Sequence, residues 1–176
     1  MATIGYDGIT PAFNSSTTVA SLRRAGTKFS AVEAGTITDI SMRMDNQQDE
    51  LMVEVFVDVA GEPGARLGNT PPQQVLAPTG NYVMSWSGLS IPFSAGAIWL
   101  CFHSNTAFTS NIKEFDGGGA QYRFKSGVAF TDPCVDPFGT PDGSDDRLMA
   151  IWATYTPSSI VYDVDFPPII SGRGAC

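Results

Sequence analysis

The sequence predicts an all-β fold of two antiparallel sheets packed face to face, and three observations predict it. Apolar residues alternate: Leu51, Val53, Val55, Val57 and Val59 fall on one side of their segment, Glu54 and Asp58 on the other. That is the period of a strand with one buried face. The 18 Gly and 12 Pro stand as single punctuation marks rather than runs, which suits many short strands joined by turns. Between Leu51 and Trp99, finally, the apolar positions leave no room for a helix.

Residues 1–20, rich in Ser, Thr, Gly and Asn, read as an extended leading segment with a short strand. Ser21 to Ala31 reads as an edge strand whose Arg23, Arg24 and Lys28 blunt the edge. Gly35-Thr36 makes a turn. Ile37 to Met44 alternates again, with Ile40, Met42 and Met44 inward and Asp39, Ser41 and Arg43 outward. Asp45 to Glu50 is a polar loop joining that strand to Leu51–Val59, so the two are expected as antiparallel neighbours. Gly61 to Gly68 is a Gly/Pro turn. Gln73 to Ala77 is a short strand fenced by Pro71, Pro72 and Pro78. Asn81–Ser87, Leu89–Phe93 and Ala97–His103 follow. Ser104 to Ser110 is a loop around Phe108. Asn111–Asp116 and Ala120–Lys125 flank Gly117-Gly118-Gly119 as a hairpin. Residues 126–146 form a long loop dense in Asp, Pro and Gly, and Arg147–Tyr155 is the last strand, stopped by Pro157.

About eight to ten strands result, an antiparallel two-sheet β-sandwich of the jelly-roll type. It spans 21–156, between the leading segment 1–20 and a C-terminal tail, 157–176. At 176 residues one domain is expected. The tail differs in composition. Ile160-Val161-Tyr162 and Phe166-Pro167-Pro168-Ile169-Ile170 mix apolar residues with breakers. A purely solvated tail would carry fewer apolar residues, so it packs on its own sandwich or on a neighbouring subunit. Tyr162, Phe166, Ile169 and Ile170 are the interface candidates.

The formal net charge of −8 argues against nucleic acid as a partner, because phosphate neutralisation needs Lys and Arg. The longest apolar run, Ala95 to Phe102, is far too short to span a bilayer. The N-terminus has neither the basic nor the apolar region of an export signal. Synthesis in a cytoplasm follows as the expectation, as does a reducing compartment for the three cysteines, Cys101, Cys134 and Cys176. Their spacing fits neither a disulfide framework nor a zinc site.

Several features occur together and in order: Phe29-Ser30-Ala31; Gly35-Thr36-Ile37-Thr38-Asp39-Ile40-Ser41; the valine-rich Val53–Asp58; Gly61-Glu62-Pro63-Gly64; Tyr82–Trp86; Gly96-Ala97-Ile98-Trp99-Leu100; Asp132-Pro133; Asp136-Pro137-Phe138; and Ile151-Trp152-Ala153-Thr154-Tyr155. Over residues 5 to 156 the chain resembles the jelly-roll modules of tailed-phage virion proteins and of some microbial surface proteins. The resemblance implies binding and display, and it brings no catalytic residues with it. With no export signal and with a C-terminal tail, the expectation becomes a capsid decoration (cement) protein on the virion surface. Its partners would be the major capsid protein and itself, as a homotrimer. The alternative is a carbohydrate- or receptor-binding module of a phage tail or cell surface.

Chemistry is sparse. His103 is the only histidine, and it ends a strand. No Gly-x-Ser-x-Gly elbow accompanies it, so a hydrogen-bonded strand-end histidine is expected rather than a catalytic one. Glu33, Glu54, Glu62 and Glu114 are scattered, with no pair marked out for sugar hydrolysis. Calcium needs only oxygen ligands. The 132–146 loop offers them, with Asp142, Asp145 and Asp146 as first candidates, although the order and closing Glu of an EF-hand are missing. No cofactor is otherwise expected. Trp86, Trp99, Tyr122, Phe124 and Trp152 are read mainly as core. Phe108 and Phe138, in loops, are expected at the surface as rings on which a sugar could stack.

Overall fold

In the computed structural model, the described residues are 1–7, 15–18, 22–105, 111–116, 121–132 and 137–158. They form twelve strands: β1 (Ala2–Gly5), β2 (Ser15–Thr18), β3 (Arg24–Ala31), β4 (Gly35–Val59), β5 (Glu62–Asn69), β6 (Gln73–Phe93), β7 (Gly96–Ser104), β8 (Asn111–Asp116), β9 (Tyr122–Lys125), β10 (Gly143–Asp145), β11 (Arg147–Met149) and β12 (Ile151–Pro157). All pairings among them are antiparallel. The expected all-β sandwich of two antiparallel sheets is what the chain forms.

β4 belongs to both layers. Its first part, from Gly35 to Met42, lies between β12 and β6, with β1 beyond β12. Its last part, from Glu54 to Val57, lies between β5 and β7, with β3, β9 and β10 continuing past β7. Hydrogen bonding is therefore continuous through all twelve strands. The inner faces meet in one apolar core. Ile37, Ile40, Met42, Ile151, Ala153 and Tyr155 come from the first layer, and Val53, Val55, Leu100, Phe102, Ala25 and Tyr122 from the second.

Several expected elements are corrected. The polar stretch Asp45–Glu50 is not a loop but the middle of β4, paired along β6. Two expected strands thus run as one, and they are not hydrogen-bonded neighbours. Gln73–Ala77, Asn81–Ser87 and Leu89–Phe93 likewise merge into β6. Pro78 is accommodated because Asp45 pairs with Asn81 and Gln47 with Ala77. Residues 78–80 therefore bulge out of the ladder, where a missing N–H costs nothing. Gly61–Gly68 is mostly strand β5; the turn itself is Ala60-Gly61, both at positive φ (54° and 88°), the two-residue hairpin that suits twisted strands. Val59, expected inside, sits beside this turn and is 56% exposed. β8 and β9 do not form the expected hairpin: β8 pairs with β2, β4 and β11, and β9 with β3 and β10. Arg147–Tyr155 divides at Ala150 into β11 and β12, which serve different partners.

The expected boundaries shift as well. β1 pairs with β12 and buries Ile4, so the sandwich begins at Ala2 rather than at residue 21. Pro157 still pairs with Gly35, and the Ser158 amide donates to the Ala34 carbonyl (3.0 Å). The expected edge strand, β3, is interior, flanked by β7 and β9, and Arg24 is fully buried. A charge expected at an open edge lies instead under a cover.

Candidate functional site

The second layer is buried on both faces. Register sets Met52, His103 and Arg24 in one row across β4, β7 and β3. Glu54, Cys101 and Gly26 make the next, and Phe56, Trp99 and Lys28 the third. Gly26 is required there, since a Cβ would lie 2.5 Å from the Cys101 Sγ. Phe56, Trp99, Cys101 and Phe138 make a small second core on this outer face. Glu54, expected toward solvent, has no exposure at all.

Residues 126–132 and 137–142 supply the cover. Phe138 meets Phe56 edge to face at 5.4 Å between ring centroids. The Val128 amide donates to the Leu22 carbonyl (3.0 Å), and Asp142 N donates to the Phe124 carbonyl (2.8 Å). Beneath the cover lies a charge cluster. Arg24 Nη2 donates to Glu54 Oε1 at 2.8 Å, and Arg24 Nε meets Glu54 Oε2. Arg24 Nη1 donates to the Pro137 carbonyl of the cover (3.2 Å), and its guanidinium lies over the Phe56 and Phe138 rings. His103 Nδ1 stands 3.5 Å from Glu54 Oε1. His103 Nε2 is 3.2 Å from the Val128 carbonyl, and Phe130 packs edge-on to the imidazole. A two-pronged Arg–carboxylate pair is strong once desolvated, and here it ties β3 and β4 to the loop. His103 is thus hydrogen-bonded near a strand end, as the sequence suggests.

Polar bonds continue this arrangement toward the surface. Trp99 Nε1 donates to Asp58 (2.8 Å), with Lys28 Nζ 3.8 Å from the same carboxylate. Arg123 lies over the Trp99 ring and donates to both oxygens of Glu62 (2.9 and 2.8 Å). On the inner side, Arg23 Nη2 donates to the Tyr122 hydroxyl (3.2 Å). Burial, helped by Glu54 and opposed by Arg24, holds the Cys101 thiol well above its usual 9.0. A thiol held neutral is a poor nucleophile. Burial likewise pushes the Tyr122 hydroxyl up to about 12, against the pull of Arg23 and Arg147. The cluster combines an acid, a base and a thiol, but it is sealed from substrate. Its chemistry is that of an anchor.

Other expected residues fall as follows. Phe138, expected exposed, is only 1% exposed, because it is the ring that closes the cover; it offers no stacking face. Phe108 lies outside the described residues, as do Tyr162, Phe166, Ile169 and Ile170. Asp142, Asp145 and Asp146 do not converge. Asp142 accepts from the Ser126 amide (2.7 Å) with Lys125 nearby, while Asp145 accepts from Arg147 Nε and from the Asp146 amide. Among the described residues no three His, Cys, Asp or Glu side chains are grouped to hold a metal ion. Trp86, Trp99 and Tyr122 are core, whereas Phe124 and Trp152 are half-buried. A cleft of about 490 Å³ beside Pro92–Ile98 holds one carboxylate, Asp58, which is already bonded to Trp99.

The sequence did carry a signal for the second core. Met52, Phe56, Trp99 and Cys101 are large or apolar at positions that alternation assigns to the outside, and apolar residues at both parities mark a strand buried on both faces. Searches of family models, curated proteins and solved structures return no match to this chain.

Proposed function

We propose that this chain is a structural virion protein, a capsid decoration protein that binds the outside of a phage shell and associates with itself as a homotrimer. The observation that supports this reading is where the sandwich ends. β12 already has a hydrogen-bonded neighbour on each flank, β1 and β4, and its last residue, Pro157, is paired. The sequence then continues with Ile160, Val161, Tyr162, Phe166, Ile169 and Ile170. Apolar residues that follow a strand ladder already complete suit an arm that reaches a second subunit or the shell. The part of the leading segment in β1 is docked in its own sheet, so the C-terminal tail is the better arm.

The mechanism is interfacial burial. A standard interface removes ~1,600 Å² from water. A protein that binds only the assembled shell stabilises that state by mass action. The partners are the major capsid protein and further copies of this chain, and the location is the virion surface after synthesis in the host cytoplasm. The net charge of −8 keeps such a protein soluble before assembly.

Light scattering on the full chain and on residues 1–158 tests the reading. The expected result is a trimer that becomes monomeric on truncation, with an unchanged far-ultraviolet circular dichroism spectrum. A full chain whose mass is the same with and without the tail counts against the arm.

A further inference from the structure

Among the described residues, none covers the outer face of the first layer as residues 126–132 and 137–142 cover the second. Register sets Gly5, Trp152, Ser41 and Ser85 in one row across β1, β12, β4 and β6. Ile151, Ala153 and Tyr155 point into the core, so alternation turns Trp152 outward. Its neighbour on β1 has no side chain, and a Cβ on Gly5 would come within 2.9 Å of the Trp152 Cβ. β1 thus approaches the β12 backbone closely at this row, and the Trp152 side chain stays half-exposed. Thr3, Gly5, Tyr6, Asp7 and Trp152 line a cleft of about 420 Å³ there.

The three tryptophans are used differently. Trp86 Nε1 donates to the Pro71 carbonyl (3.0 Å) and Trp99 Nε1 to Asp58 (2.8 Å). Among the described residues the Trp152 indole N–H has no partner. Arg43 Nε donates to the Asp7 carbonyl (3.0 Å), which fixes a guanidinium at the cleft margin. The cleft thus combines an outward indole and its N–H donor with the hydroxyl-bearing Thr3 and the acidic Asp7.

From this the geometry points to a binding site for a neutral saccharide, with Trp152 as the stacking ring. A sugar has an apolar C–H face that packs on an aromatic ring, and hydroxyls that need donors and acceptors around the rim. Charge selects within that class: Asp7 and the Arg43 guanidinium offset each other at the cleft, and the net charge of −8 disfavours anionic sugars. This inference does not depend on shell binding.

The test uses the full chain labelled with nitrogen-15, in which the three indole N–H signals are resolved by nuclear magnetic resonance. The probes are malto-, cello-, manno- and chito-oligosaccharides, with an oligogalacturonate as the anionic counterpart. At least one neutral probe should shift the Trp152 signal and leave those of Trp86 and Trp99 in place. Trp152→Ala should weaken that binding about tenfold or more, as expected for loss of a central aromatic contact. Thr3→Glu, at the cleft wall, should weaken it without removing the ring. No shift at Trp152 with any neutral probe, binding that survives Trp152→Ala, or preference for the anionic probe would overturn the proposal.

Discussion

The two outer faces of this sandwich have opposite fates. On the second layer, Glu54, Phe56, Trp99 and Cys101 disappear beneath residues 126–132 and 137–142. On the first layer, Ser85 and Ser87 stay exposed, Ser41 and Trp152 half-exposed, and Ser41 and Ser85 bond only to each other (2.8 Å). Both faces are built from alternate residues of paired antiparallel strands. What separates them is a loop with one aromatic wedge, Phe138, and an Arg–Glu pair to hold it. Burying ions is costly unless each is matched. Here the carboxylate has two charged or chargeable neighbours and the guanidinium reaches a cover carbonyl. The covered face therefore gains its stability from completeness, and among the described residues nothing comparable lies over the other.

The largest effect that would break this contrast is the loss of Glu54. Glu54→Ala strands Arg24 in an apolar site and should cost about 3–5 kcal/mol. The double replacement Arg24→Met/Glu54→Leu should cost clearly less than Glu54→Ala alone. Urea denaturation of the three proteins measures both, and equal losses in the single and double variants would remove the pair from the account. Next comes Phe138→Ala, which empties the wedge and should cost about 3 kcal/mol, with little change in the secondary-structure signal.

Alkali gives a third, graded effect. Cys101 and Tyr122 both hold their protons to higher pH in the folded chain than their usual values of 9.0 and 10.0. The unfolded chain ionises first, so stability is complete below pH about 9 and is lost as pH rises through 10 toward 12. Urea midpoints should fall over that range, while the 295 nm phenolate signal of Tyr122 appears only late. A flat profile would contradict the burial of these groups. The smallest effect belongs to the open face: Trp152→Ala should change stability by less than about 1 kcal/mol, however strongly it affects sugar binding.

The shared core was legible because alternation is local. Ile40, Met42 and Met44, then Val53 and Val55, then Ile151, Ala153 and Tyr155 fall inside as their spacing says. The cover was not legible, because Arg24, Glu54, His103 and Phe138 come from four distant stretches. A Glu between valines reads as solvent-facing until a loop about 80 residues downstream lies over it. Asp45–Glu50 misled for a related reason: polar side chains say loop, while the backbone stays extended because β6 pairs along it. Trp152 was counted with the core aromatics, and only its place between Ile151 and Ala153, which point into the core, shows that it faces outward, half-exposed.

The sharpest single measurement of the contrast is the reactivity of Cys101 toward a thiol reagent, in a Cys134→Ser/Cys176→Ser background. Cys101 lies under the cover, so it reports whether the face is sealed by the charge pair and the wedge. The thiol is expected to be protected by orders of magnitude in the native chain. It becomes reactive on Glu54→Ala or Phe138→Ala under conditions where the β-sheet spectrum is retained. A Cys101 that reacts at the rate of a free thiol in the native chain, or stays equally protected in both variants, would contradict sealing by the charge pair and the wedge.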